Sequence, residues 1–196
     1  LVKAMFNDEK FSKAINMSGV NSINWARIIA QSVYYFYAYF KVGDGQHLSF
    51  SVQTGNFGDI YAGYLAKKLG LPIDKLIVAT NKNDILHRAI LGGDYTQKKV
   101  EETNTPSMDI QIASNFERLL YDIKDSNSEV TKDVMAEIKN NTYKIDKSDL
   151  DKIKKNFISE MLDENETVKM IKTINDEHQM VVDPHTAVGI GAVRKL

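Results

Sequence analysis

The chain has 196 residues, with 25 basic and 26 acidic side chains and a formal net charge of -1, long enough for one sizeable core or a core with an appended subdomain. So even a balance gives no electrostatic pull toward nucleic acid or an anionic membrane, and neither partner is expected. Cysteine is absent, which excludes a disulfide framework, a thiolate nucleophile and a cysteine metal site; the four histidines are scattered without metal-ligand spacing.

Leu1 to Phe6 reads as the middle of an amphipathic helix rather than a signal peptide, and Ala187 to Leu196 as a helix without a terminating glycine. The expectation is a piece cut from a longer chain. Phe6 to Asn16 continues the first helix, and Met17 to Asn24 is a polar loop. Trp25 to Phe40 follows as a helix that is apolar on every face, yet shorter than the ~20 residues of a membrane span. Such a helix is expected in a core or a domain interface, since rings at helical spacing need no aromatic ligand to explain them.

Leu48, Phe50 and Val52 alternate with Ser49 and Ser51, a strand pattern that Thr54-Gly55-Asn56-Phe57-Gly58 interrupts. Helical spacing resumes at Asp59 and runs to Gly70-Leu71-Pro72, after which Lys75 to Thr80 reads as a buried parallel strand. Asn81 to Asp84 caps a helix over Ile85 to Leu91, which completes a βαβ unit with an expected right-handed crossover. Gly92 to Pro106 is a long loop. Asp109 to Ile112 is expected as a short strand, and Ser114-Asn115-Phe116-Glu117 as a capping box for the next helix. From Ser126 to about Asn175 the pattern is helical with charged outer faces, Leu150, Ile153, Phe157 and Met161 forming one apolar stripe. Met180 to Val182 reads as a last strand, followed by Asp183 as N-cap and Pro184 as first helical residue. The fold expected is α/β, with a parallel-sheet core flanked by helices; residues 1–125 and 178–196 form the core domain and 126–177 a helical insertion.

A glycine-bearing turn between a strand and a helix N-terminus points several N–H groups into one concavity at the positive end of the helix dipole. Two readings stand: an anion site held by backbone and Asn56, or a structural turn whose glycines serve only positive φ. The spacing matches neither Gly-x-Gly-x-x-Gly nor the lysine-bearing P-loop.

Three segments, Asn21 to Gln31 (NSINWARIIAQ), Ser51 to Gly63 (SVQTGNFGDIYAG) and Asp183 to Gly189 (DPHTAVG), supported by Ser107 to Leu120, resemble the threonine synthases of the bacterial and fungal type. The resemblance implies a cytoplasmic, pyridoxal-phosphate-dependent fold type II enzyme that converts O-phosphohomoserine and water to L-threonine and phosphate. On it, Gly55, Asn56, Phe57, Gly58 and Asp59 hold the cofactor phosphate and Thr186 faces the pyridine nitrogen, while Asn21, Asn24 and Arg27 lie near the substrate. Gln53 stands where the family usually has proline. The family's Schiff-base lysine sits in a Ser-Phe-Lys-Asp type segment that is not found here and is expected upstream of Leu1, so no catalytic residue is assigned and the piece alone is expected to be inactive. The alternatives are another fold type II enzyme, a dehydratase or replacement enzyme, and a non-catalytic anion-binding or assembly domain that docks a partner on its aromatic helix.

Overall fold

A computed structural model describes Met5, residues 8–17 and residues 23–196 of the chain. Helix α1 (Glu9–Ala14) is capped by Asp8, which accepts from the Phe11 N–H at 3.0 Å. Helix α2 (Trp25–Val42) is capped by Asn24 and buries one stripe, Ile28, Ser32, Tyr35 and Tyr39. Its other face carries Tyr34, Tyr37 and Phe40 at 62%, 64% and 75% exposure. The expectation of burial on every face is therefore met on one stripe only.

The sheet has three parallel strands in the order β1 (Leu48–Gln53), β2 (Ile73–Thr80) and β3 (Phe157–Met161). Between β1 and β2 runs α3 (Gly58–Lys68), and after β2 come α4 (Ile85–Gly92) and a 3-10 turn, Pro106–Met108. Then follow α5 (Phe116–Ile123), α6 (Ser128–Lys139) and α7 (Lys147–Asn156) before β3, and α8 (Glu164–His178) and α9 (Pro184–Lys195) after it. Strand period sorts the β2 side chains to two faces. Leu76 and Val78 join Val52 and Phe157 in the larger core under α2, α3 and α4, whereas Ile77 and Ala79 pack with Met108, Leu162, Val188 and Ala192 under α9. Full burial of each of the larger of these side chains, the alanines excepted, stabilises by roughly 1.5–3 kcal/mol.

Two expected strands are irregular: Asp109 to Ile112 and Met180 to Val182. Val181 is 79% exposed, so its β-branched run meets neither a sheet edge nor a core to pack on. The third strand lies instead at Phe157–Met161, inside the stretch expected to be a helical insertion, and pairs with β2 from Leu76↔Phe157 to Thr80↔Met161. The stripe Leu150, Ile153, Phe157 and Met161 satisfies helical spacing, but the helix ends at Asn156. The edge of β2 is what makes the next five residues a strand, with Phe157 fully buried against Phe57 and Tyr64.

The long loop after α4 is pinned over the carboxyl end of β2 by buried polar side chains. Asn81 Nδ2 faces Thr103 Oγ1, Thr105 Oγ1 and Asp109 Oδ1 at 2.9, 2.8 and 2.8 Å. Asn83 ties in Glu101 and Asp109. Among the described residues, no helix is long and apolar enough to cross a membrane and no cluster of side chains could hold a metal ion.

Candidate functional site

Strand β1 runs out into the glycine turn with its pairing intact: the Thr54 N–H donates to the Ala79 carbonyl at 2.8 Å and Thr54 Oγ1 to the Val52 carbonyl at 2.6 Å. The turn then departs from expectation. Neither Gly55 nor Gly58 has positive φ; the left-handed residue is Phe57, at φ 63° and ψ 7°. A bulky residue there costs on the order of 1–3 kcal/mol. Packing holds it, because the Phe57 ring is 1% exposed and sits 5.2 Å from Phe116 and 5.6 Å from Phe157. Phe57 thus offers the site its backbone alone. Gly55 is required for space, since a Cβ on it would stand 2.4 Å from the Ser107 carbonyl oxygen.

This geometry leaves a cluster of donors. Among the described residues, the N–H groups of Gly55, Asn56 and Phe57 make no hydrogen bond. Those of Gly58, Asp59 and Ile60 open α3, where no carbonyl of the helix lies one turn back, and the N-cap Phe57 contributes no side-chain bond. Asp59 sits in that first turn with Tyr35 Oη donating to its carbonyl at 3.0 Å and to its Oδ1 at 3.2 Å. Burial pushes the Asp59 carboxyl pKa up, with the Tyr35 hydrogen bond opposing it, and burial pushes the Tyr35 phenol well up. An ionised Asp59 would oppose an anion here, so its useful contribution is its N–H.

The turn forms one wall of a cavity of ≈440 Å³ whose other lining includes Arg27, Gln31, Gln53, Ser107 and His185. Arg27 arrives from the first turn of α2, and His185 from that of α9. Ser51 Oγ, donating to the Gly189 carbonyl at 2.6 Å, fastens α9 against β1. The expected last strand is therefore not needed to bring the Asp183 segment to the turn. Thr186 is not part of this wall; its hydroxyl donates to Asp183, which also accepts from the His185 and Thr186 N–H groups as N-cap. The hydrogen bond from the Thr186 hydroxyl, followed by the other donors, holds the Asp183 pKa down. Asn24 lies outside the wall too, its side chain accepting from the Ala26 N–H at 3.0 Å as the α2 cap. Asn21 falls outside the described residues.

Three contributors escaped sequence reasoning. Ser107 closes over Gly55 from the pinned loop. His185 turns Nδ1 toward Asp183 Oδ1 at 3.2 Å and leaves Nε2 buried without a hydrogen bond among the described residues. The third, Asn115, replaces the expected capping box: as N-cap of α5 it makes no side-chain cap bond. Its N–H and Nδ2 instead donate to the Asn56 carbonyl at 3.0 and 3.1 Å. No local signal distinguishes these uses of Asn, because both begin from the same residue before a helix. A larger cavity of ≈940 Å³ lies between α3, α5 and α6, among Tyr61, Tyr95, Phe116 and Met135, with a mainly apolar wall and none of the turn's N–H groups.

No protein-family model matches the chain. Threonine synthase of Saccharomyces cerevisiae is 45% identical over 100% of the chain and that of Pseudomonas aeruginosa 43% identical over 100%. The chain is a homologue of the threonine synthases. It spans 42% of the length of each of these two relatives. The crystal structure of a PLP-bound threonine synthase from Brucella melitensis superposes with a TM-score of 0.95 at 45% identity, covering 99% of this chain and 42% of that one. Threonine synthase of Escherichia coli superposes at 0.77 with 30% identity, over 99% of this chain and 40% of the other. Maize serine racemase, at 14% identity and a TM-score of 0.60, shares the fold alone. The architecture of this threonine synthase homologue is that of the fold type II pyridoxal-phosphate enzymes, with parallel sheet and flanking helices as expected.

Proposed function

We propose that the chain supplies one wall of the active site of a threonine synthase, in which the glycine turn holds the phosphate of pyridoxal phosphate. The observation that carries this is the run of unsatisfied N–H groups from Gly55 to Ile60 at the head of α3, which suits a phosphate dianion without any lysine. The residues fit the group: Gly55 has no side chain to block close approach, and Phe57 turns its ring away into the core. When bound, the cofactor supplies the electron sink for reactions at the α- and β-carbons of an amino acid.

The remaining roles fall to this chain's own side chains. Thr186 offers a neutral hydroxyl for the ring nitrogen. Turning from Asp183, it leaves that carboxylate with the His185 and Thr186 N–H donors still in place. Arg27 puts a permanent positive charge on the cavity wall, suited to the phosphate or carboxylate of O-phosphohomoserine. Asn21 and Asn24 complete the substrate side of the proposal, and the Schiff-base lysine comes from the remainder of the polypeptide. The reaction proposed is O-phosphohomoserine plus water to L-threonine plus phosphate.

The test is made on the complete polypeptide: O-phosphohomoserine should yield equal amounts of phosphate and threonine, and Thr186→Val should reduce turnover at least tenfold. Its cost in stability should stay within the roughly 1.5–3 kcal/mol of one hydrogen bond to a charged group, here the Asp183 carboxylate. Deamination of serine or threonine without phosphate release would assign the protein to the dehydratases instead.

A further inference from the structure

The glycine turn is gripped from behind. Asn115, fully buried, directs its N–H and its Nδ2 at a single acceptor, the Asn56 carbonyl, at 3.0 and 3.1 Å. That carbonyl and the Phe57 N–H belong to one trans peptide, in which the two groups point in opposite directions. Fixing the carbonyl toward α5 therefore fixes the Phe57 N–H away from α5. It also accounts for how a phenylalanine at φ 63° is kept in a conformation that disfavours large side chains.

Asn115 is in turn held by Arg118. Arg118 Nε donates to Asn115 Oδ1 at 3.1 Å, its guanidinium lies 5.2 Å from the centroid of the Trp25 ring, and a further nitrogen donates to the Ile23 carbonyl at 2.8 Å. A planar guanidinium is suited to this, since one edge makes hydrogen bonds while its face stacks on an aromatic ring. The amide oxygen of Asn115 is occupied by Arg118, which leaves the Nδ2 end toward the turn and selects the orientation of the amide. Trp25 opens α2, with Ile23 just before its N-cap, and this helix carries Arg27 to the cavity wall. One chain of contacts thus runs from the start of α2 through Arg118 and Asn115 to the peptide between Asn56 and Phe57.

We propose that Asn115 and Arg118 are positioning residues for phosphate: they orient the Asn56–Phe57 peptide for anion binding and couple that orientation to the docking of α2. The proposal rests on the reading that the turn holds the cofactor phosphate. It assigns a task to Asn115 and Arg118, neither of which lines the cavity at the glycine turn.

The experiment compares the affinity of the complete polypeptide for pyridoxal phosphate and for pyridoxal, which lacks the phosphate, by equilibrium dialysis. The unmodified protein should prefer the phosphorylated form. Asn115→Ala, which removes Nδ2 and keeps the backbone N–H on the Asn56 carbonyl, should cut that preference about tenfold, in line with losing the aim of one hydrogen bond, from the Phe57 N–H, to a charged group. Arg118→Met, which leaves both Asn115 donors in place, should cut it roughly two- to threefold through a less ordered Asn115. An equal loss of affinity for both forms would mark a purely structural role and overturn the proposal, as would an unchanged preference in either soluble variant. Should Asn115→Ala not fold, the preference of Arg118→Met decides by the same criteria. Absence of any preference in the unmodified protein would overturn the phosphate reading of the turn itself, a result distinct from failure of the relay.

Discussion

Gly55→Ala adds a single methyl where the structure has no room for it. The new Cβ would stand 2.4 Å from the Ser107 carbonyl oxygen, whereas ordinary contact begins at 3.4 Å, so about 1 Å must be found. The loop resists giving it. Ser107 belongs to the 3-10 turn Pro106–Met108; Thr105 and Asp109 on either side are each within 2.8 Å of Asn81 Nδ2, and Met108 is buried under α9. Overpacking of a site so held costs about 1–3 kcal/mol, a factor of about 5 to 150 in the folding equilibrium at 1.4 kcal/mol per tenfold. Backbone strain adds nothing, because Gly55 is not in the left-handed region. Gly45→Ala is the matched control: at φ +90°, with no atom within 4 Å of the added methyl, it carries strain of ~1–2 kcal/mol and no clash. Equilibrium urea unfolding measures both variants, and phosphate titration followed at the amides of Gly55 to Ile60 measures the turn. Gly55→Ala should lose stability and also weaken the amide response, while Gly45→Ala loses stability only. A Gly55→Ala protein within 0.5 kcal/mol of the parent (far below the overpacking range), with its amide response intact, would refute the claim that Ser107 closes on the turn.

Asp59 sets how anion binding depends on pH. Burial raises its pKa, so it gains a proton at a higher pH than an exposed carboxyl and ceases to oppose an anion as pH falls. Sulfate, a dianion throughout the range, should bind more tightly on acidification in a His185→Gln background, which removes the imidazole from the cavity wall; adding Asp59→Asn should flatten the curve, and a persisting slope would point to another group. Asp94 acts on stability. Burial pushes its pKa up, but hydrogen bonds from Thr96 and Arg88 outweigh this and hold it at about 2, below its ordinary 3.8. A carboxylate lowered in the folded state contributes fully above the unfolded value and loses that contribution as pH falls through the folded one. Acid unfolding of Asp94→Asn should accordingly lose the component between about pH 4 and pH 2, and an unchanged acid transition would show that the Arg88 cluster contributes nothing.

What the sequence determined by itself is whatever local chemistry decides. Alternation through Leu48, Phe50 and Val52 made β1, the β-branched run before Thr80 made β2, and Asp183-Pro184 started α9, with bounds set by hydrogen bonds and torsions spanning only a few residues. The glycine turn was legible for the same reason, since a strand ending at a helix head leaves N–H groups unpaired wherever it occurs. The tertiary structure alone decided the rest. Phe157–Met161 became a strand because the free edge of β2 and the ring of Phe57 were waiting for it, while the equally strand-like Met180 to Val182 found no edge. Positive φ fell on Phe57 rather than on either glycine because burial of its ring between Phe116 and Phe157 outweighs the local strain. Asn115 turned its Nδ2 from its own helix to the Asn56 carbonyl, 59 residues away, because an unpaired amide donor on a fully buried side chain would cost more than an unmade cap. Each of these choices sets a local preference of a kcal/mol or so against burial worth several, and the term that wins lies between residues far apart in the chain.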